Sequence, residues 1–334
     1  MSPLLNIEGL RIDIPGHAGV LRAIRGISFS IEEGESFAIV GESGCGKSLT
    51  AMSVLGLLPR SAVVSAETMS WKNRDMRMFG RRQWSHLHGL EIAAIFQEPM
   101  TALNPVLTIG DQMIESFLHH CLGDRRTALS RAGELLERVG VVPVGRRLGQ
   151  YPHEMSGGLR QRVMIAMALM CRPTLMIADE PTTALDVTTQ VEILALLKEL
   201  QADTGMALML ITHDLGVVAH VADRMAVMYA GEIVETGSVA SVLTGPAHPY
   251  TSALLSCIPT RGQPLIPIPG VVPALFGELE GCIFRNRCGF AMPDCGSQVP
   301  EREVAPSHAY RCLLPRDDTG PTTDSSSAAL EAFQ

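Results

Sequence analysis

The chain has 334 residues and a formal charge of −8, with 46% of it hydrophobic and 19% charged. That balance describes a well-buried globular chain and excludes a disordered one, while the acidic excess argues against a nucleic-acid-binding surface. No apolar run reaches the roughly 18 residues of a membrane helix, and residues 1–6 lack the regions of a signal peptide, so a cytoplasmic chain of about two domains is expected.

In chain order, residues 4–12 and 27–31 alternate in strand fashion, 32–35 read as a turn, and 36–40 form a short apolar run suited to a buried strand. Gly41, Glu42, Ser43, Gly44, Cys45, Gly46, Lys47 and Ser48 follow, and a helical pattern opens at Leu49. Strand, glycine-rich loop and helix in this order make a phosphate-binding loop. Its glycines let backbone N–H groups wrap a polyphosphate, and the helix N-terminus adds partial positive charge. Lys47 is placed to reach the β- and γ-phosphates, and Ser48 to hold Mg²⁺. Cys45 sits near a helix N-terminus, where thiol pKa values fall, so alkylation there is expected to block ATP binding. A tolerant loop position is the plainer alternative.

Residues 91–97 predict a strand ended by Glu98-Pro99. From Ile109 to Val139 the pattern is helical, with Ala128, Leu129, Ala132, Leu135, Leu136 and Val139 at three- and four-residue steps. Ser156 can cap a helix over 163–170, with Gly157 and Gly158 leaving its N–H groups open to a phosphate. A strand over 175–178 ends at Asp179-Glu180, where Asp179 suits a Mg²⁺ sphere and Glu180 can polarise a water. A helix over 191–200 and a strand over 207–211 complete an α/β pattern with a largely parallel core sheet.

Five prolines between 259 and 273 mark an extended connection. Beyond it lie Cys282, Cys288, Cys295 and Cys312, and the tail after Pro315 reads as disordered. Cytosolic chains rarely spend cysteines on disulfides, which makes a metal site the leading expectation. Their spacing lacks the close pair usual for zinc and fits a [4Fe–4S] cluster better.

The order of these motifs resembles the ATPase subunits of ATP-binding-cassette transporters over roughly residues 4–250. The chain is similar to that family in a Walker A loop at 41–48, a Q-loop at Gln97 and a signature at 156–161. A Walker B strand ends at Asp179 with Glu180 adjacent, a D-loop lies at Ala184-Leu185-Asp186, and a switch histidine at His213. The resemblance implies a P-loop ABC-type nucleotide-binding domain over 1–250 with a mixed sheet and a helical subdomain near 98–165. A small cysteine-bearing extension over 251–315 and a tail over 316–334 would follow. It implies head-to-tail pairing, with Ser156, Gly157 and Gly158 touching the γ-phosphate held by the partner's Walker A loop. Glu180 and His213 would act at the γ-phosphate, and Gln97 would sense Mg²⁺ together with Ser48 and Asp179. Leu159 stands where the family's commonest signature has Gln, and no adenine-stacking aromatic is evident between Leu10 and Val20.

Residues 245–255, 96–105 and 281–312 further resemble the dipeptide, oligopeptide and nickel importers' ATPases. That likeness implies an inner-face peripheral subunit partnered by a second cassette, a second copy or, as the subfamily favours, a paralogue. Two permeases and an external binding protein would complete the assembly, with membrane contact only through the permeases. The related importer ATPases carry an iron–sulfur cluster. A soluble cassette ATPase acting on ribosomes or nucleic acid is the competing reading, opposed by the single cassette and the acidic balance.

Overall fold

The computed structural model describes residues 2–17, 19–97, 102–183, 185–258, 267–277 and 279–315. The segment after Gln97, Ala184, much of the proline-rich connection and the tail therefore lie outside the described residues. The chain divides into two compact units, one of residues 1–31, 36–77 and 211–334, the other of 32–35 and 78–210.

The first unit opens with a long antiparallel hairpin, β1 (Leu5–Gly16) and β2 (Gly19–Ile31), paired from Leu5 opposite Ile31 to Gly16 opposite Gly19 with the register shifting between Ile7 and Asp13. Leu5, Ile7, Leu10 and Ile12 on one strand and Ile24, Ile27, Phe29 and Ile31 on the other are buried. The near period of two in both runs is what turns one face of the ribbon inward. After β3 (Ser36–Val40), buried at every residue, come α1 (Lys47–Val54), β4 (Val63–Ser65), β5 (Thr68–Trp71) and β6 (Arg74–Asp75). One sheet runs β2-β1-β5-β6, with β4 also on β1.

The second unit contains α2 (Arg81–Leu87), β7 (Ile92–Ile95), α3 (Ile109–His119), α4 (Arg125–Arg138), α5 (Val144–Leu148), α6 (Gly157–Ala168), β8 (Leu175–Asp179) and α7 (Val187–Thr204). The chain returns to the first unit within β9 (Ala207–Thr212). The strands here run β9-β8-β7, with β7 parallel to β8 from Ile92 opposite Leu175. The single helix expected from Ile109 to Val139 is two. Cys121 turns at φ 54 after α3, and Asp124 caps α4 by accepting from Thr127 N–H at 2.8 Å. Of the apolar stripe on α4, Ala128, Ala132, Leu135, Leu136 and the adjoining Val139 are buried as the spacing predicts, while Leu129 is half-buried.

Back in the first unit, α8 (Leu215–Val221) leads to β10 (Arg224–Tyr229) and β11 (Glu232–Ser238), followed by α9 (Val239–Thr244) and α10 (Pro249–Ser256). β10 lies parallel to β3 and antiparallel to β11. The cysteine-bearing segment makes two short 3-10 turns, 283–286 and 293–296, then a hairpin of β12 (Arg302–Ala305) and β13 (His308–Tyr310). β13 pairs with β11, Tyr310 opposite Glu235, so this hairpin extends the β3-β10-β11 sheet. Glu235 fastens this junction. Its buried carboxylate accepts from Ala247 N–H (2.8 Å), His248 N–H (2.9 Å) and the His308 ring (2.8 Å). Among the described residues no helix is long and apolar enough to cross a membrane.

Candidate nucleotide site

In the first unit, β3 delivers the chain into the glycine-rich loop and α1 begins at Lys47. Gly41 has no room for a side chain, since a Cβ there would overlap the Met228 carbonyl. Gly46, at φ 107, would press a Cβ onto Ile24. These two glycines shape the loop that backbone N–H groups need in order to cradle phosphate. Lys47 is only 5% exposed, and its ammonium donates to the carbonyls of Gly41 (2.8 Å) and Glu42 (3.0 Å). Cys45 departs from expectation. It is 1% exposed, and burial pushes its thiol up, outweighing the lowering by Lys47. Desolvation of a thiolate costs more here than the short helix and the lysine return. His213 is exposed just past β9, next to Asp214, which caps α8 by accepting from Gly216 N–H at 2.8 Å.

The second unit gathers the carboxylate residues. Asp179 is buried at the end of β8, and Glu180 follows it at φ 46, a left-handed conformation costly for a residue with a Cβ. Gln97 Nε2 donates to Glu180 Oε2 at 2.8 Å, and Thr183 Oγ1 donates to the same oxygen at 2.9 Å. Sequence reasoning missed Thr183. Its hydroxyl three residues beyond a strand-end carboxylate was the available signal.

Ser156 caps α6, its hydroxyl accepting from Leu159 N–H at 3.4 Å, and that helix starts at Gly157, six residues before the expected 163. Ser156 and Gly157 are exposed. A Cβ on Gly158 would come within 2.9 Å of Thr189 Cγ2 on α7. Asp186 caps α7 by accepting from Thr189 N–H (3.0 Å) and Oγ1 (2.7 Å), and those hydrogen bonds hold its carboxyl below the usual range. Val187 and Val191 on α7 are exposed at 77% and 62%.

The C-terminal cysteines come together. Cys282, Cys288, Cys295 and Cys312 all line one small cavity with Phe284 and Phe290. Burial, with the neighbouring thiols adding to it, pushes Cys282 up to about 11, and burial also raises Cys288 and Cys312. Backbone N–H groups of Phe290 and Met292 donate to the sulfurs of Cys288 (3.4 Å) and Cys295 (3.5 Å). Yet among the described residues no group of three or more His, Cys, Asp or Glu could hold a metal ion, so the expected cluster receives no support from ligand geometry.

Comparison with known proteins decides the family. Residues 24–183 match the ABC transporter model, and residues 234–295 match the oligopeptide/dipeptide transporter C-terminal region. The chain belongs to the ATP-binding-cassette transporter family. It carries that family's ATPase domain and is an ATP-binding subunit. It is 47% identical to the dipeptide transport ATP-binding protein DppD of Bacillus subtilis over 94% of this chain and 95% of that protein. It is 44% identical to the DppD of Escherichia coli K12 over 96% and 99%. Among solved structures, the dimeric ATP-binding cassette MJ0796 in a post-hydrolysis state with ADP and Pi aligns at TM-score 0.62 and 25% identity, covering 70% of this chain and 98% of that one. The cassette cbiO1 from Clostridium perfringens, part of the cbiONQ transporter complex, aligns at 0.62 and 27%, covering 72% and 91%.

Proposed function

We propose that this chain is the motor of an importer for dipeptides or oligopeptides, binding and hydrolysing ATP on the inner face of the cell membrane. Its partners are a second cassette, two permeases and an external binding protein. The observation that carries the catalytic part is the hydrogen bond from Gln97 to Glu180, beside the buried Asp179. It puts a carboxylate able to take a proton from water in direct touch with the amide meant to sense the nucleotide.

Gly41–Gly46 backbone N–H groups and Lys47 hold the β- and γ-phosphates. Ser48, Gln97 and Asp179 offer the hard oxygen ligands that Mg²⁺ prefers. Bound Mg²⁺ supplies charge neutralisation at the transferred phosphoryl group. Glu180 orients and deprotonates the attacking water, and His213 steadies the γ-phosphate. Ser156, Gly157 and Gly158 complete the partner cassette's site, with Asp186 at the seam. The exposure of Ser156, Gly157, Val187 and Val191 supports such a docking face. Neither half-site is whole alone, so ATP joins the cassettes and hydrolysis parts them. We assign residues 1–250 to the cassette and 251–315 to the extension.

For the extension we propose a [4Fe–4S] cluster on Cys282, Cys288, Cys295 and Cys312, supported by their convergence on one cavity. Anaerobically purified chain is expected to hold about four irons and four sulfides. Zinc alone, or no metal, would overturn it. The importer is tested by mild-detergent purification of the tagged chain from its own host. Recovery of permeases and a binding protein is expected; recovery of ribosomal or other soluble partners alone would favour the soluble cassette reading.

A further inference from the structure

We propose that Arg287 is a positioning residue for nucleotide binding, acting through Glu42 of the phosphate loop. This rests on reading residues 41–48 as that loop. Arg287 adjoins Cys288 in the C-terminal region, 245 residues from Glu42, yet it grips the Glu42 carboxylate with both terminal nitrogens. Nη1 donates to Oε2 at 2.7 Å and Nη2 to Oε1 at 3.0 Å. Its side chain is 5% exposed, and its Nε donates to the Pro269 carbonyl at 2.8 Å. The guanidinium also lies 5.7 Å from the Tyr229 ring centroid. A bidentate fork of this kind fixes direction as well as charge.

Glu42 is held at two further points. Its N–H donates to the Tyr250 hydroxyl at 3.0 Å, and its carbonyl accepts from the Lys47 ammonium at 3.0 Å. Tyr250 in turn packs on Tyr229 and on Phe284 of the cysteine segment, with ring centroids 4.6 and 5.3 Å apart. A carboxylate in the second position of a phosphate loop repels a polyphosphate at short range. Arg287 compensates that charge and anchors the residue whose carbonyl seats Lys47. The C-terminal region is thereby a working part of the nucleotide site.

The test is a double-mutant cycle on the full chain, reading MgATP affinity and steady-state kinetics. Arg287→Ala is expected to weaken MgATP binding roughly ten- to hundredfold, with a much smaller change in kcat at saturating ATP. In a Glu42→Gln background the same change should cost less than about twofold, because the carboxylate it serves is gone. Unaltered affinity in Arg287→Ala, or an equal loss in both backgrounds, would overturn the proposal, the latter marking general damage to the cysteine segment. Should Arg287→Ala fail to fold, Arg287→Lys, which keeps the charge and loses the fork, is judged by the same two outcomes. Failure of the unaltered chain to bind MgATP would instead sink the phosphate-loop reading itself.

Discussion

Gln97 and Glu180 stand 83 residues apart in the chain and meet side chain to side chain, Nε2 to Oε2, at 2.8 Å. The amide after β7 and the carboxylate after β8 are brought together because those two strands are parallel neighbours, so both chain ends emerge on the same edge. Replacing Glu180, the proposed base, by Gln removes the carboxylate and keeps the shape. Turnover is expected to fall roughly 10²- to 10⁴-fold while MgATP binding survives. Single-turnover hydrolysis and nucleotide binding on the same preparation measure both, and near-normal hydrolysis would remove Glu180 from its role.

The two signature glycines should separate on mutation. Thr189 cannot swing away from a Cβ at position 158 without losing its hydroxyl bond to Asp186, whereas position 157 meets nothing closer than Leu185 at 3.8 Å. Gly158→Ala is expected to cost about 1 kcal/mol in urea unfolding, and Gly157→Ala to leave stability within a few tenths. Equal unfolding midpoints for the two variants would contradict this account.

Glu235 offers a stability test away from the nucleotide. Its carboxylate, 1% exposed, satisfies two backbone N–H groups and the His308 ring. Glu235→Ala strands those donors in the interior and is expected to lose about 3 kcal/mol or more. Denaturant melts followed by circular dichroism should show it, with Glu235→Gln milder.

Cys45 should label slowly. A raised thiol pKa means less thiolate at any given pH, so its alkylation rate should climb only above the ordinary thiol midpoint of 9.0. At pH 8 the exposed Cys121 is expected to react first, read by peptide mass spectrometry. Faster modification of Cys45 than of Cys121 would restore the activated thiol that its place in the loop suggests.

These four cases mark what could be read from sequence and what could not. The phosphate loop, β8 with its Asp179-Glu180 end, and the capping role of Ser156 are contiguous patterns, and local physics writes them plainly. The helix break at Cys121–Asp124 was present as Leu122, Gly123 and a capping Asp, but the apolar periodicity on either side obscured it. Cys45 misled because a helix N-terminus is visible in sequence and burial is not. The pairing of β13 with β11 and the grip of Arg287 on Glu42 join segments more than seventy residues apart through partners that only the folded chain selects.

Glu180 also carries a thermodynamic burden. Its φ of 46 belongs to the backbone region that glycine and asparagine occupy readily, and holding another residue there costs on the order of 1 kcal/mol. Glycine at this position would relieve that backbone cost while giving up the hydrogen bonds from Gln97 and Thr183. Under the proposed role of Glu180 as base, that backbone cost is retained for turnover, and a screen that scores thermostability alone would be blind to it.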